Sequence, residues 1–275
     1  MDGKTLLTIG AKEILDGLAS SDYAANGGFG VSSSNLNPFP TEGILQATQD
    51  PTDKSTNLSG NLIASCEDSQ VVSPANRVLI DASGNVYDSS SVGGLTKRIT
   101  SAAKTYSFGV TDMVSYAGST YATSTTHMAK INTSAWTWTE DSAVFASSSV
   151  HHPLLVYEQR LYAGDGNLLK YTTDGVNFST ILTLASTERI VALGIDPSTG
   201  QMLISTQVSY NPTDSVQQKG IVYLYDGNSE KPTRKIIVEE MVTAFVPHGG
   251  LVHVGMGQIW GYWTGTGVAL PRQAA

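Results

Sequence analysis

The feature that most constrains this chain is a segment that recurs at a fixed interval. Ile80, Tyr121, Tyr162 and Leu203 occupy equivalent places in four similar segments, and each lies 41 residues from the next. The segments are short apolar runs separated by Gly, Asn and Asp, as in residues 154–178 (LLVYEQRLYAGDGNLLKYTTDGVNF). Gly, Asn and Asp tolerate the positive φ of two-residue hairpin turns, so each segment is predicted to be an antiparallel meander.

A fifth segment, residues 249–265, carries Val252 at the equivalent position, 49 residues after Leu203. A polar insertion that includes residues 210–214 accounts for the longer interval. A period of roughly 40 to 45 residues with about four strands is typical of a β-propeller blade. The sequence therefore predicts an all-β chain with five blades of about 41 residues. The predicted blades are residues 68–104, 105–148, 149–186, 187–238 and 239–275.

Residues 1–53 lack the repeat and are predicted to form an extended N-terminal arm. Residues 9–18 have weak helical spacing that two glycines interrupt, and residues 25–40 are rich in Gly, Ser, Asn and Pro. Such an arm is either a loose leader or a segment that becomes ordered against a neighbouring subunit. The propeller is predicted to occupy residues 54–275. Because its ring must close, residues 55–67 are predicted to be the outer strand of the final blade.

Composition narrows the classes of function. Charged residues make up 15% of the chain, against roughly 25% in average soluble domains. The net charge of −8 disfavours binding to nucleic acid or to an anionic membrane. The single cysteine, Cys66, favours synthesis in a reducing cytoplasm. No signal-peptide pattern and no run of the roughly 18 apolar residues that span a bilayer is visible, so membrane insertion is not expected.

Glycoside hydrolysis on a propeller requires two or three carboxylates that face one another across a channel. Nearly all of the candidate acids lie in turn motifs, where Asp bonds the local backbone, and a turn role is the favoured interpretation of each. The candidates are Asp81, Asp112, Glu158, Asp165, Asp174, Asp196 and Asp226. Residues 171–178 (YTTDGVNF) resemble the Asp-box turn of sialidase-type propellers, one residue short of its usual spacing. That motif is structural and implies no catalysis.

The sequence gives equally little support for a metal-binding site or for a nucleophilic active site. His151 and His152 are adjacent and would face opposite ways in an extended chain, whereas a zinc site requires three or four converging ligands. Residues 226–230 are shorter than an EF-hand loop. The cysteine lies in a predicted strand, and no Gly-x-Ser-x-Gly motif is present. We therefore predict no catalytic, cofactor-binding or metal-binding residue, and we expect that the chain is not an enzyme.

One aromatic group stands out. Trp260, Tyr262 and Trp263 fall within four residues, and in a strand Trp260 and Tyr262 share one face while Trp263 lies on the other. Aromatic faces stack on sugars and anchor protein interfaces. Packing between neighbouring blades is the favoured interpretation of all three residues.

Three features of the sequence resemble proteins of tailed bacteriophages. They are the leader, residues 14–40 (ILDGLASSDYAANGGFGVSSSNLNPFP), the lysine-poor composition, and blades such as residues 156–178. The similar proteins are the propeller-bearing nozzle, adaptor and fibre-attachment proteins of the phage tail and neck. The blade likeness covers about the last 220 residues, and no functional residue is carried over.

The resemblance implies a non-enzymatic structural protein of the virion, assembled in the host cytoplasm and present in several copies in a symmetric ring. Its partners would be copies of itself and other virion proteins, with a role in host attachment. Two alternatives stay open: a carbohydrate-binding propeller that recognises a host-surface glycan, and a glycosidase. No nucleic-acid partner is expected.

Overall fold

The computed structural model describes residues 36–41, 44–47, 62–67, 77–89, 95–100, 110, 112–125, 127–141, 145, 151–208, 220–238, 240–248, 250–256 and 259–270. The chain divides into two compact units, one of Met1–Lys54 with Arg272–Ala275 and one of Ser55–Pro271. In the first unit, β1 (Leu36–Thr41) pairs antiparallel with β2 (Ile44–Ala47). The helical spacing noted above lies outside the described residues, and the extended arm stays a prediction.

The described part of the second unit forms five antiparallel sheets of four strands each. The first sheet consists of β3 (Leu62–Glu67), β4 (Arg77–Asp81), β5 (Val86–Asp88) and β6 (Thr96–Ile99). The second consists of β7 (Asp112–Tyr116), β8 (Ser119–Thr123), β9 (Met128–Asn132) and β10 (Thr137–Asp141). The third consists of β11 (Leu154–Tyr157), β12 (Arg160–Asp165), β13 (Leu168–Thr172) and β14 (Ser179–Thr183).

The remaining two sheets follow the same plan. The fourth consists of β15 (Glu188–Ile195), β16 (Met202–Val208), β17 (Gly220–Tyr225) and β18 (Arg234–Val238). The fifth consists of β19 (Ala244–His248), β20 (Leu251–Met256), β21 (Ile259–Trp263) and β22 (Val268–Ala269). In every sheet the hydrogen-bonded neighbours follow chain order, which makes each sheet a meander.

The turns form where the sequence predicts them. Asp165 and Leu168 are directly paired across β12 and β13, which leaves Gly166 and Asn167 as a two-residue turn. Gly166 has a φ of 62°, a conformation that a residue without Cβ adopts at little cost. The local pattern of apolar runs and Asp-Gly turns is therefore sufficient to specify this hairpin.

Successive sheets contact each other through their first strands: β3 with β7, β7 with β11, β11 with β15, and β15 with β19. The buried apolar side chains of the described residues form four clusters, and each cluster lies between two successive sheets. Both faces of an inner sheet are thereby buried, as in the blades of a propeller. The protein is an all-β chain that forms a five-bladed β-propeller, as predicted.

The prediction for residues 55–67 is wrong in the part that the structure describes. Leu62–Glu67 is the first strand of the first sheet, where it pairs antiparallel with Arg77–Asp81, and is not an outer strand of the last sheet. Strands that are neighbours in sequence pair at little cost in loop-closure entropy, and that local pairing prevails here. The predicted first blade, residues 68–104, consequently lacks its first strand, while the other four predicted ranges enclose the second to fifth sheets.

Within the described ranges, no helix has the length and apolar character needed to span a membrane.

Candidate functional site

Four of the candidate acids cap turns. Asp174 Oδ1 accepts hydrogen bonds from the backbone N–H groups of Val176 and Asn177, each at 2.8 Å. Asp81, Asp196 and Asp226 also accept hydrogen bonds from backbone N–H groups two to four residues further along the chain. The predicted turn role is confirmed for these four residues, whose carboxylates stabilise the local backbone.

Equivalent turns recur between the third and fourth strands of three sheets. They begin at Asn132, Asp174 and Asp226, and each of these side chains accepts hydrogen bonds from the backbone of the turn. Backbone N–H groups, first that of Asn177, lower the pKa of Asp174. The Ser229 hydroxyl and then the backbone of the turn lower the pKa of Asp226.

Replacing Asp174 and Asp226 together by asparagine is expected to reduce the loss of thermal stability that occurs as the pH falls below about 4. Because the folded-state pKa of each carboxyl is lowered, its stabilising effect is present above the unfolded pKa of about 4 and is lost as the pH falls below it. Thermal unfolding between pH 7 and pH 2 measures the effect. Asparagine already holds the equivalent turn at position 132, so the variant is expected to fold. A variant that loses thermal stability at low pH as steeply as the wild type would contradict the turn-stabilising role of the two carboxylates.

Tyrosines of one sheet contact these turns of the next sheet and stabilise their position. The Tyr116 hydroxyl donates to the carbonyl of Thr173 at 3.0 Å, and Tyr121 packs against Gly175. One repeat later, the Tyr162 hydroxyl donates to the carbonyl of Gly227 at 3.1 Å. The turns that carry the candidate acids therefore join successive sheets.

Asp112 and Asp165 have different roles from the turn aspartates. Asp112 Oδ2 accepts a hydrogen bond at 2.8 Å from the backbone N–H of Leu154, which connects the second sheet to the third. Burial raises the pKa of Asp112. Asp165 is buried and forms an ion pair with Lys170, with 2.7 Å between Oδ2 and Nζ. Glu158 is exposed, in the turn between β11 and β12. Among the residues that the structure describes, no three His, Cys, Asp or Glu side chains converge as they would around a metal ion.

His152 is fully buried between the second and third sheets. Its Nδ1 lies 2.7 Å from the carbonyl oxygen of Gly164, and its Nε2 lies 3.1 Å from that of Thr125. The ring stacks on Phe145 with a centroid distance of 3.8 Å. His151 is exposed, so the two histidines face opposite ways, as predicted. The role of His152 is to join two sheets, which no sequence motif indicates.

Glu188 is a buried acid that sequence reasoning missed. Its carboxylate accepts hydrogen bonds from the Tyr223 hydroxyl at 2.8 Å and from the Thr206 hydroxyl at 3.0 Å. Burial and the hydrogen bond to Glu188 raise the pKa of Tyr223. These side chains come from three strands of one sheet, and no short motif marks such a group in the sequence. The network is satisfied within the fourth sheet and stabilises it.

A small pocket lies between the second and third sheets, beside the turn of Asp174. Tyr121, Lys130 and Phe178 are among the residues that line it, and its volume is about 100 Å³. Pockets for small organic ligands measure roughly 300 to 1,000 Å³. The pocket accommodates a few water molecules at most, and we assign it no ligand.

The candidate functional site is the outward face of the fifth sheet, which we call the fifth-sheet face and define by Val246, Leu251, His253, Trp260 and Tyr262. Val246, Leu251 and Trp260 are each about half exposed. The ring of Tyr262 lies 5.1 Å from that of Trp260 and 4.9 Å from that of His253, measured between centroids. Sheet-to-sheet packing is therefore the wrong interpretation of Trp260, which faces solvent.

Trp263 lies on the opposite face, as the alternation of the strand predicts. It is buried between the fourth and fifth sheets, and its indole N–H donates to Asp196 Oδ2 at 3.2 Å. Among the described sheets, none covers the fifth-sheet face in the way that each sheet covers the one before it. None of the five residues of the fifth-sheet face is Asp, Glu, Lys or Arg. The face combines exposed apolar area with three aromatic rings and can make contacts.

No family model matches this chain, and no curated protein matches it. Similar solved structures include the extracellular domain of a hybrid two-component system from B. thetaiotaomicron, with 13% identity over 74% of this chain and 27% of that chain and a TM-score of 0.49. A chain of a nidogen/laminin complex has 11% identity over 76% of this chain and 79% of that chain, with a TM-score of 0.49. The WD40 domain of Neurospora crassa Pan2 has 9% identity over 78% of this chain and 64% of that chain, with a TM-score of 0.47.

The chain spans about a quarter of the length of the first of these structures, 27%. These likenesses are too distant to carry an argument, and the assignment of the fold rests on the sheets themselves.

Proposed function

We propose that this chain is a non-enzymatic structural protein that acts through protein–protein contacts. The observation that carries the proposal is the fifth-sheet face, where Val246, Leu251 and Trp260 are exposed together. Contiguous exposed apolar patches on soluble proteins mark interaction sites. Trp and Tyr are also the residues that contribute most to binding energy at protein interfaces.

The arrangement of the acids supports the same proposal. Asp174 and Asp226 hold turns, Asp112 joins two sheets, and Glu188 is satisfied within one sheet. A glycosidase requires carboxylates that are free to exchange protons with a substrate. Structural hydrogen bonds of this kind favour a stable scaffold over a reactive centre.

The proposed setting is the tail or neck of a tailed-phage virion, after assembly in the host cytoplasm, with copies of this chain and other virion proteins as partners. The support for this setting is the likeness of residues 14–40 and of the lysine-poor composition to phage tail and neck proteins. A closed symmetric assembly would give many weak contacts a collective strength.

Gradient-purified phage particles from the source of the sequence test the setting. We expect peptides of this chain in the particles by mass spectrometry, and antibodies raised against it to label the tail or neck in electron micrographs. A protein found only in the lysate supernatant would contradict a virion location. A hydrolytic activity of the purified chain would contradict the non-enzymatic part of the proposal.

A second candidate function is glycan binding at the same face. The exposed ring of Trp260, with Tyr262 and His253 beside it, offers a surface on which a sugar ring can stack. A lectin would bind defined glycans on an array and would lose that binding in Trp260→Ala. A silent array would exclude this candidate for the glycans tested and would leave the structural proposal standing.

A further inference from the structure

We infer that His152 is a pH-sensitive contact between the second and third sheets, and that it joins the two sheets more strongly when its ring is protonated. The inference concerns how the propeller is held together, and it does not depend on the proposed function. It rests on the positions of the ring atoms and of the groups that surround them.

The ring of His152 has a hydrogen-bond acceptor beside each of its nitrogen atoms. Nδ1 lies 2.7 Å from the carbonyl oxygen of Gly164 in the third sheet, and Nε2 lies 3.1 Å from that of Thr125, between β8 and β9 of the second sheet. A carbonyl oxygen only accepts hydrogen bonds, and a neutral imidazole has an N–H on one of its two nitrogens. The neutral ring therefore donates to one carbonyl and turns a lone pair toward the other, whereas the protonated ring donates to both.

Two neighbouring groups favour the positive charge of the protonated ring. Asp165 is buried, and its two carboxylate oxygens lie near different basic groups: Oδ2 is 2.7 Å from Lys170 Nζ, and Oδ1 is 4.0 Å from His152 Nδ1. The ring also stacks on Phe145, and an aromatic face attracts a cation. Complete burial of the ring opposes its charge. The carboxylate, the aromatic face and the second carbonyl offset that cost in the folded protein.

Two further titratable groups belong to the same junction between the sheets. His151, the adjacent residue, interacts electrostatically with both His152 and Asp112. The Asp112 carboxylate accepts a hydrogen bond from the backbone N–H of Leu154, two residues beyond His152. A test of the inference must therefore separate the titration of His152 from that of His151 and Asp112.

The pH range of the effect follows from the proton that the folded ring binds. The protonated ring stabilises the junction below about pH 6.5, where histidine in an unfolded chain is also protonated, and this stabilisation is lost as the pH rises further. The turn carboxylates of Asp174 and Asp226 act in the opposite direction, since their contribution is lost below about pH 4. Because the two ranges are separate, one stability profile can distinguish the two effects.

Nitrogen NMR of the full chain, with isotope-labelled histidines, tests the inference directly. The chain has five histidines, and replacing the other four one at a time assigns the signals of His152. We expect both ring nitrogens of His152 to carry a proton at pH 5.5 and only one of them at pH 9. A ring with a single proton throughout this range would overturn the inference, and so would a ring with two protons throughout.

Chemical denaturation at the same two pH values measures the strength of the contact. Between pH 9 and pH 5.5, the folding equilibrium constant of the wild type should rise about tenfold relative to that of His152→Phe, the gain from one hydrogen bond donated by a charged group. Phenylalanine keeps a ring that stacks on Phe145 but does not titrate. A ratio that is the same at both pH values would overturn the inference.

The matched control is His151→Ala, which removes the neighbouring titratable group and leaves the ring of His152 in place. It should keep most of the tenfold change. A His151→Ala variant that abolishes the change would assign the pH dependence to His151 and overturn the inference. The NMR titration uses the wild type and variants of the other histidines, so it decides the matter even if His152→Phe does not fold.

Discussion

Replacing Gly175 by alanine is expected to destabilise the propeller by about 3 kcal/mol, combining the cost of a left-handed backbone with that of overpacking. Gly175 has a φ of 72°, and a Cβ at this position would lie 1.9 Å from the hydroxyl oxygen and 2.7 Å from Cζ of Tyr121. Tyr121 is 1% exposed, so its ring can move away from the new Cβ only by giving up packing between the second and third sheets or by shifting into the small pocket beside the turn. Chemical denaturation, monitored by circular dichroism, measures the loss in the free energy of unfolding.

The control is Gly200→Ala. Gly200 has a φ of 70° but no heavy atom within 4 Å of an added Cβ, so only the backbone cost of about 1 kcal/mol applies. The difference between the two variants isolates the contact between the second and third sheets. An equal loss of unfolding free energy in the two variants would show that close packing against Tyr121 does not account for the effect of Gly175→Ala. Tyr121→Phe, which removes the hydroxyl, should recover part of the loss in the Gly175→Ala background.

His152→Ala is expected to cost about 3 to 5 kcal/mol, because it opens a cavity and removes the ring from its hydrogen-bonding position beside the buried carbonyl of Gly164. The ring lies between the carbonyl oxygens of Gly164 and Thr125, which belong to different sheets. It also stacks on Phe145 with only 6° between the ring planes. Urea denaturation of the wild type and the variant gives the difference in unfolding free energy.

The neighbouring histidine provides the control. His151 is exposed and interacts electrostatically with Asp112, so His151→Ala should change the stability by no more than about 1 kcal/mol. His152→Phe keeps a ring that can stack on Phe145 but cannot donate a hydrogen bond. A His152→Phe variant as stable as the wild type would show that packing alone, without the hydrogen bonds, explains the role of His152.

The repeat explains why the sheets could be predicted. Four of the five predicted blade ranges enclose a sheet, because each meander consists of neighbouring strands joined by Gly, Asn and Asp turns. The predicted first blade, residues 68–104, lacks the first strand of the first sheet. Leu62–Glu67 lacks the repeat motif. The prediction of an outer closing strand therefore assigned it to the last sheet, whereas it belongs to the first.

The candidate site could be predicted only in part. The alternation of a strand places Trp260 and Tyr262 together and Trp263 on the other side, as found. Exposure is a different property, because it depends on whether another sheet covers the face, and a sequence pattern carries no such information. Glu188 and the sheet-joining role of His152 could not be predicted for the same reason, since their partners come from other strands or another sheet.

A cryo-electron microscopy reconstruction of the native assembly tests the central claim most directly. It is predicted to show five four-stranded sheets with Trp260 buried against a second protein chain. A reconstruction in which Trp260 faces solvent, and in which carboxylates of this chain instead surround a bound substrate, would contradict it.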